Sequence, residues 1–113
     1  MAKILLAEDD TTMISLLKTL LKMEGFDVLA LEVNSDVPAV VQREKPEALF
    51  MDVHLGEQSG MEILEAIRKN KDLSDVRIVM TSGLNMKDEC LRRGANAFLM
   101  KPFMPDDLLN LLR

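Results

Sequence analysis

Four apolar runs far apart in the chain each end in a different polar group, and together these groups have the composition of a phosphoryl-transfer pocket. Ile4-Leu5-Leu6-Ala7 ends in Glu8-Asp9-Asp10, Ala48-Leu49-Phe50-Met51 in Asp52, Val76 to Met80 in Thr81-Ser82, and Ala97 to Met100 in Lys101-Pro102. Carboxylates are hard oxygen ligands suited to a divalent cation such as Mg²⁺. One of them can attack phosphorus to give an acyl phosphate, provided that metal, hydroxyl and ammonium groups meet the charge on the equatorial oxygens. Each group also has a plainer use. An acidic triplet can cap the next helix and face its positive dipole end, a lone Asp can begin a turn, and Lys-Pro can lead into a helix. Asp10 is assigned the capping part. Strand alternation turns only one of Thr81 and Ser82 toward the pocket, and spacing does not choose between them.

Electrostatics ties the acids to a cation. Two unit charges about 4 Å apart repel by ~1 kcal/mol in water and ~4 kcal/mol at an effective dielectric near 20. Adding Asp52 to a pocket that already holds Glu8 and Asp9 therefore makes the empty site costly, and a divalent cation relieves it.

The elements that would bring these groups together are short strands alternating with stretches of helical period, a βαβ pattern that predicts a parallel sheet with right-handed crossovers. In such a sheet all strands end on one edge, and ligands bind outside those ends. Five strand–helix repeats are read. Strand 3–7 precedes helix 11–24, whose stripe is Ile14, Leu17, Leu20 and Leu21 and whose stop is Gly25. Strand 26–31 precedes a helix near 36–44 that Ser35 can cap and Pro46 ends. Strand 47–51 is apolar enough to be central. A loop from His54 to Ser59 leads to Gly60 and a helix at 61–70. Strands 76–80 and 96–100 bracket a short helix near 86–93, and Pro105 opens a last helix ending at Arg113.

Composition narrows the class of function. At 113 residues, 48% of them hydrophobic, one domain spanning 1–113 is expected. The net charge of -5 lacks the basic face that nucleic acid phosphates require. No leader and no apolar run of membrane-spanning length is present, so a cytoplasmic, soluble protein is expected. Cys90 is the single cysteine and cannot form an internal disulfide. The nine methionines read as core filler.

Five motifs in order resemble the receiver domain of two-component response regulators, a family that includes the bacterial chemotaxis regulator. They are Ile4-Leu5-Leu6-Ala7-Glu8-Asp9-Asp10, Met51-Asp52-Val53 with Gly60 downstream, Met80-Thr81-Ser82-Gly83, Gly94-Ala95-Asn96-Ala97-Phe98 and Lys101-Pro102-Phe103. The resemblance spans nearly the whole chain. It implies an α/β, flavodoxin-like (βα)5 doubly wound sandwich with a parallel sheet of order 2-1-3-4-5. It further implies that Asp52 is the phosphoacceptor, that Asp9 binds Mg²⁺ (or Mn²⁺) directly and Glu8 through water, and that the main-chain carbonyl of His54 is a further ligand. Ser82 is then the switch hydroxyl in preference to Thr81, and Lys101 the matching lysine. Phe98 sits where the family places an aromatic that swings inward on activation, with a plain core aromatic as the alternative.

Members of that family take a phosphoryl group from a histidine kinase, a phosphotransfer protein or a small acyl phosphate and catalyse its loss to water. They act as signalling domains rather than as enzymes on outside substrates. The expected partners are therefore a kinase and an output domain or protein, with no membrane and no direct nucleic acid, as a monomer or a phosphorylation-dependent dimer. Three departures stand out. Gly56 replaces the usual proline, the stretch from Ser82 to Gly94 is short, and the last helix stops early, as in a segment of a longer protein. The rival readings are a constitutive interaction module that never cycles, an aspartate-nucleophile phosphatase and a flavin carrier. The phosphatase would want a second acid where His54 stands, and the carrier would want hydroxyls where the first loop is acidic.

Overall fold

The computed structural model describes residues 2–112. Five strands, β1 (Lys3–Ala7), β2 (Asp27–Ala30), β3 (Ala48–Asp52), β6 (Arg77–Ser82) and β7 (Ala97–Met100), form one parallel sheet in the order β2-β1-β3-β6-β7. Taken in chain order, these are the five expected strands in the order 2-1-3-4-5. A separate antiparallel hairpin pairs β4 (His54–Leu55) with β5 (Gln58–Ser59). Helices α1 (Thr11–Met23), α2 (Val37–Glu44), α3 (Gly60–Lys69), α4 (Lys87–Arg92) and α5 (Pro105–Leu112) cover the sheet, and a single 3₁₀ turn occupies Lys71–Leu73.

Both faces of the sheet are buried, which is why its central strands are apolar without alternation. All five residues of β3 and the last five of β6 are buried. Leu5, Ala7, Leu49, Met51, Ile78 and Met80 face α2, α3 and α4. Ile4, Leu6, Ala48, Phe50 and Val79 face α1 and α5. Phe103 reaches back from the segment after β7 to meet the Phe50 ring edge-on, with centroids 5.7 Å apart.

Several boundaries differ from the sequence reading. Asp36, not Ser35, caps α2, its carboxylate accepting the Ala39 N–H at 3.3 Å. Both types make good caps, and the choice follows where the helical dihedrals begin. On α1 only Leu17 and Leu21 are buried, while Ile14 and Leu20 are half-exposed, because the helix lies against the four-residue edge strand β2. The fourth helix is curtailed to six residues, as its short segment implied. The expected helix end at Arg113 lies outside the described residues. Among the described residues, no helix is long and apolar enough to cross a membrane.

At the edge where strands begin, Arg68 of α3 fastens the late elements. Its guanidinium donates to the carbonyls of Gly94 at 2.7 Å and Val76 at 2.8 Å and to Asn96 Oδ1 at 2.7 Å. The same Asn96 oxygen accepts the Ile78 N–H at 2.7 Å, which fixes the start of β6 beside that of β7.

Candidate functional site

Register delivers the polar groups to one place. Ala7 lies beside Met51 and Met51 beside Met80, so Glu8 and Asp52 leave adjacent strands together. Asp52 pairs with Thr81, Thr81 with Leu99 and Ser82 with Met100, which puts Lys101 immediately past the same edge. The Lys101–Pro102 bond is cis, and the Lys101 N–H donates to the Ser82 carbonyl at 2.8 Å. From there its ammonium donates to Glu8 Oε1 and to Asp52 Oδ2, each at 2.5 Å.

Glu8 and Asp52 are 1% and 6% exposed, so solvent does little for either charge. Burial and the facing Asp52 push the Glu8 carboxyl up to about 7 against the opposing pull of Lys101. Burial also acts upward on Asp52, but hydrogen bonds from Glu8, Lys101 and the His54 amide outweigh it and hold Asp52 below its ordinary value. Of the two facing acids, Asp52 is thus the one that stays ionised. Burial disfavours the Lys101 ammonium, but the two carboxylates overcome it and raise its pKa.

Oxygens of Glu8, Asp9 and Asp52 lie within 4.8 Å of one another, the one such group of three potential metal ligands among the described residues. Three carboxylate oxygens in that span, with no nitrogen or sulfur, fit Mg²⁺ or Mn²⁺. A consequence for stability follows in a chelator. A carboxyl that ionises less readily folded than unfolded lowers stability once pH passes its ordinary value, here 4.5, and the loss grows until about 7. Urea unfolding in EDTA should therefore show stability falling across that window by about 3 kcal/mol, with the slope flattened in Glu8→Gln. Asp52 acts with the opposite sign but below its ordinary 3.8, and Lys101 above 10.5, so neither reverses the trend.

Two main-chain donors that no side-chain pattern could announce complete the cleft. The His54 N–H donates to Asp52 Oδ1 at 2.7 Å, and the Gly56 N–H to Asp9 Oδ2 at 3.3 Å. The His54 imidazole itself is exposed. Asp10 stands outside the cluster and caps α1 by accepting the Thr12 and Met13 N–H groups. Thr81 is fully buried and donates to the Leu99 carbonyl at 2.7 Å. The Ser82 oxygen accepts the Leu84 N–H at 3.1 Å, so this hydroxyl stands at the strand end beside Lys101 but is turned to its own turn. Phe98 is half-buried against the core on the α3 side of the sheet.

Gly60 holds the return of the chain after Asp52. Its N–H donates to the Val53 carbonyl at 2.6 Å, and a Cβ there would stand 2.3 Å from the Asp52 carbonyl oxygen and 2.9 Å from Val53 Cα. These are main-chain atoms that cannot rotate aside. Gly60→Ala is expected to cost about 3 kcal/mol, the upper end for overpacking, as a lowered urea midpoint with unchanged slope.

Comparison with known proteins agrees with this geometry. Residues 4–113 match the family model described as the response regulator receiver domain. The phosphate regulon transcriptional regulatory protein PhoB of Pseudomonas aeruginosa is 26% identical over 113 residues, covering 97% of this chain and 49% of that protein. This chain thus spans about half of that regulator and smaller shares of other curated relatives. The chemotaxis response regulator CheY4 of Vibrio cholerae superposes with a TM-score of 0.88 at 26% identity, over 99% of this chain and 96% of that one. The receiver domain of the sensor histidine kinase PA1611 of Pseudomonas aeruginosa, solved with a magnesium ion coordinated in its active site cleft, gives 0.85 at 26% identity, over 98% and 93%.

Proposed function

Because this chain belongs to the response regulator receiver family, the domains of two-component phosphorelay signalling, we propose that Asp52 is its phosphoacceptor and that the surrounding cleft is a Mg²⁺-dependent phosphoryl switch. The observation that carries this reading is the single ammonium of Lys101 placed on both Glu8 and Asp52, with Asp9 alongside. Asp9, Glu8 and Asp52 would hold the cation, with the His54 carbonyl as a further ligand. When bound, the cation supplies charge neutralisation at the transferring phosphoryl oxygens.

The residues of the chain divide the remaining work. Asp52, the acid that stays ionised, offers an oxygen lone pair to phosphorus, an O–P bond forms, and the bond to the donor breaks with its electron pair leaving on the donor. Lys101 transfers part of its pairing from Asp52 to an equatorial phosphoryl oxygen. Ser82 exchanges the Leu84 N–H for a second phosphoryl oxygen, to which its hydroxyl donates. That movement, transmitted toward Phe98 on β7, changes the affinity of the neighbouring face for a partner. A histidine kinase or phosphotransfer protein would be the donor, and an output domain or separate protein the recipient of the signal.

The test is intact-protein mass after exposure to acetyl phosphate. A gain of one phosphoryl group with Mg²⁺, absent with EDTA, is expected. No gain under any condition would favour a constitutive interaction module. Turnover of a phosphomonoester far beyond the protein's own concentration would favour a phosphatase.

A further inference from the structure

The hairpin after Asp52 is fixed from outside the cleft by a side chain that neither binds the cation nor meets the phosphoryl group. Hairpin β4–β5 carries both main-chain donors of the site, His54 to Asp52 and Gly56 to Asp9. With two residues in each strand, it is too short to hold its own position in water. One anchor is Leu55, which is fully buried. Gln58 stands directly opposite Leu55 in the register, so the two side chains leave the hairpin on the same side.

The Gln58 amide nitrogen donates to the carbonyls of Val33 at 2.8 Å and Ser35 at 3.0 Å, in the loop between β2 and α2. An amide NH₂ has two donors, and two carbonyls meet them. The same loop lies against the hairpin tip. A Cβ at Gly56, whose φ is +58°, would stand 3.3 Å from Val33 Cβ. The β2–α2 loop, the hairpin and the two carboxylates are thus joined in one chain of contacts.

We propose that Gln58 is a positioning residue for the cation: by tying the hairpin to the β2–α2 loop it holds the Gly56 and His54 N–H groups where they orient Asp9 and Asp52. This rests on the metal-binding reading of the cleft given above. Groups that orient metal-ligating carboxylates from outside change metal affinity by about ten- to a hundredfold when removed.

The experiment uses Mg²⁺ alone, titrated into the protein and followed by the amide resonances of Asp9, His54 and Gly56. Gln58→Met keeps the length of the side chain and removes both donors. It should raise the half-saturating Mg²⁺ about tenfold, and labelling by acetyl phosphate at saturating Mg²⁺ should fall far less than that. In EDTA, the same substitution should speed hydrogen exchange at the Gly56 amide while leaving Ile78, in the sheet, unchanged. Mg²⁺ binding within twofold of the wild-type protein, or unchanged exchange at Gly56, would overturn the positioning role. A wild-type protein that shows no Mg²⁺ response would overturn the reading of the cleft and this inference with it.

Discussion

Asp52→Asn is expected to lower Mg²⁺-dependent labelling by acetyl phosphate at least about a hundredfold, or ~2.7 kcal/mol in activation free energy. The substitution keeps the volume of the side chain and removes the charge. A neutral amide oxygen is a poor nucleophile toward phosphorus, and the remaining acids are badly placed to replace it. Glu8 is buried and tied up by the Lys101 ammonium, and the Asp9 carboxylate lies at the solvent-exposed rim. The fold should survive, because Lys101 keeps Glu8 as a partner. The loss of the facing carboxylate should also let Glu8 ionise more readily, which ¹³C resonances of its carboxyl would report. Full labelling of the variant would end the assignment of Asp52 as acceptor.

Lys101→Ala should act on stability as well as on transfer. It leaves two nearly buried carboxylates facing each other with no cation between them, and removing one partner of a buried charged group costs about 3 kcal/mol or more. Protonation of Glu8 absorbs part of that loss. The variant should therefore unfold at markedly lower urea in EDTA at pH 8, and recover most of the difference when Mg²⁺ supplies the missing positive charge. Transfer from acetyl phosphate should remain slow even at saturating Mg²⁺, because one equatorial oxygen has lost its pairing. A variant as stable as the wild-type protein in EDTA would mean that the ammonium contributes nothing to holding the acids together.

The parts of the site that rest on strand ends were legible from residues alone. An apolar run that stops at a polar group marks both the strand and the group at its edge, so Glu8, Asp52, the Thr81-Ser82 pair and Lys101 could be placed on one edge before any coordinates, while the choice of Ser82 over Thr81 came with the family resemblance. Strand order needed the family resemblance, because five similar parallel strands do not state their own neighbours. The main-chain donors of His54 and Gly56 carry no side-chain signature, and the hairpin that presents them has strands too short to show alternation. Gln58 and Arg68 were missed for a related reason. Apart from the Asn96 side chain that Arg68 also meets, their partners are main-chain carbonyls, and a main-chain carbonyl is the same in every residue. The Asp36 cap differs from the expected Ser35 by one position, within the reach of two good capping side chains side by side.

The most direct test of the cleft as a phosphoryl acceptor is the position of the label. Protein treated with acetyl phosphate and Mg²⁺, reduced with borohydride to trap the acyl phosphate and mapped by peptide mass spectrometry, should carry the modification at Asp52, with none when EDTA replaces Mg²⁺. Modification at Asp9, at His54 or elsewhere, or labelling indifferent to the metal, would contradict it.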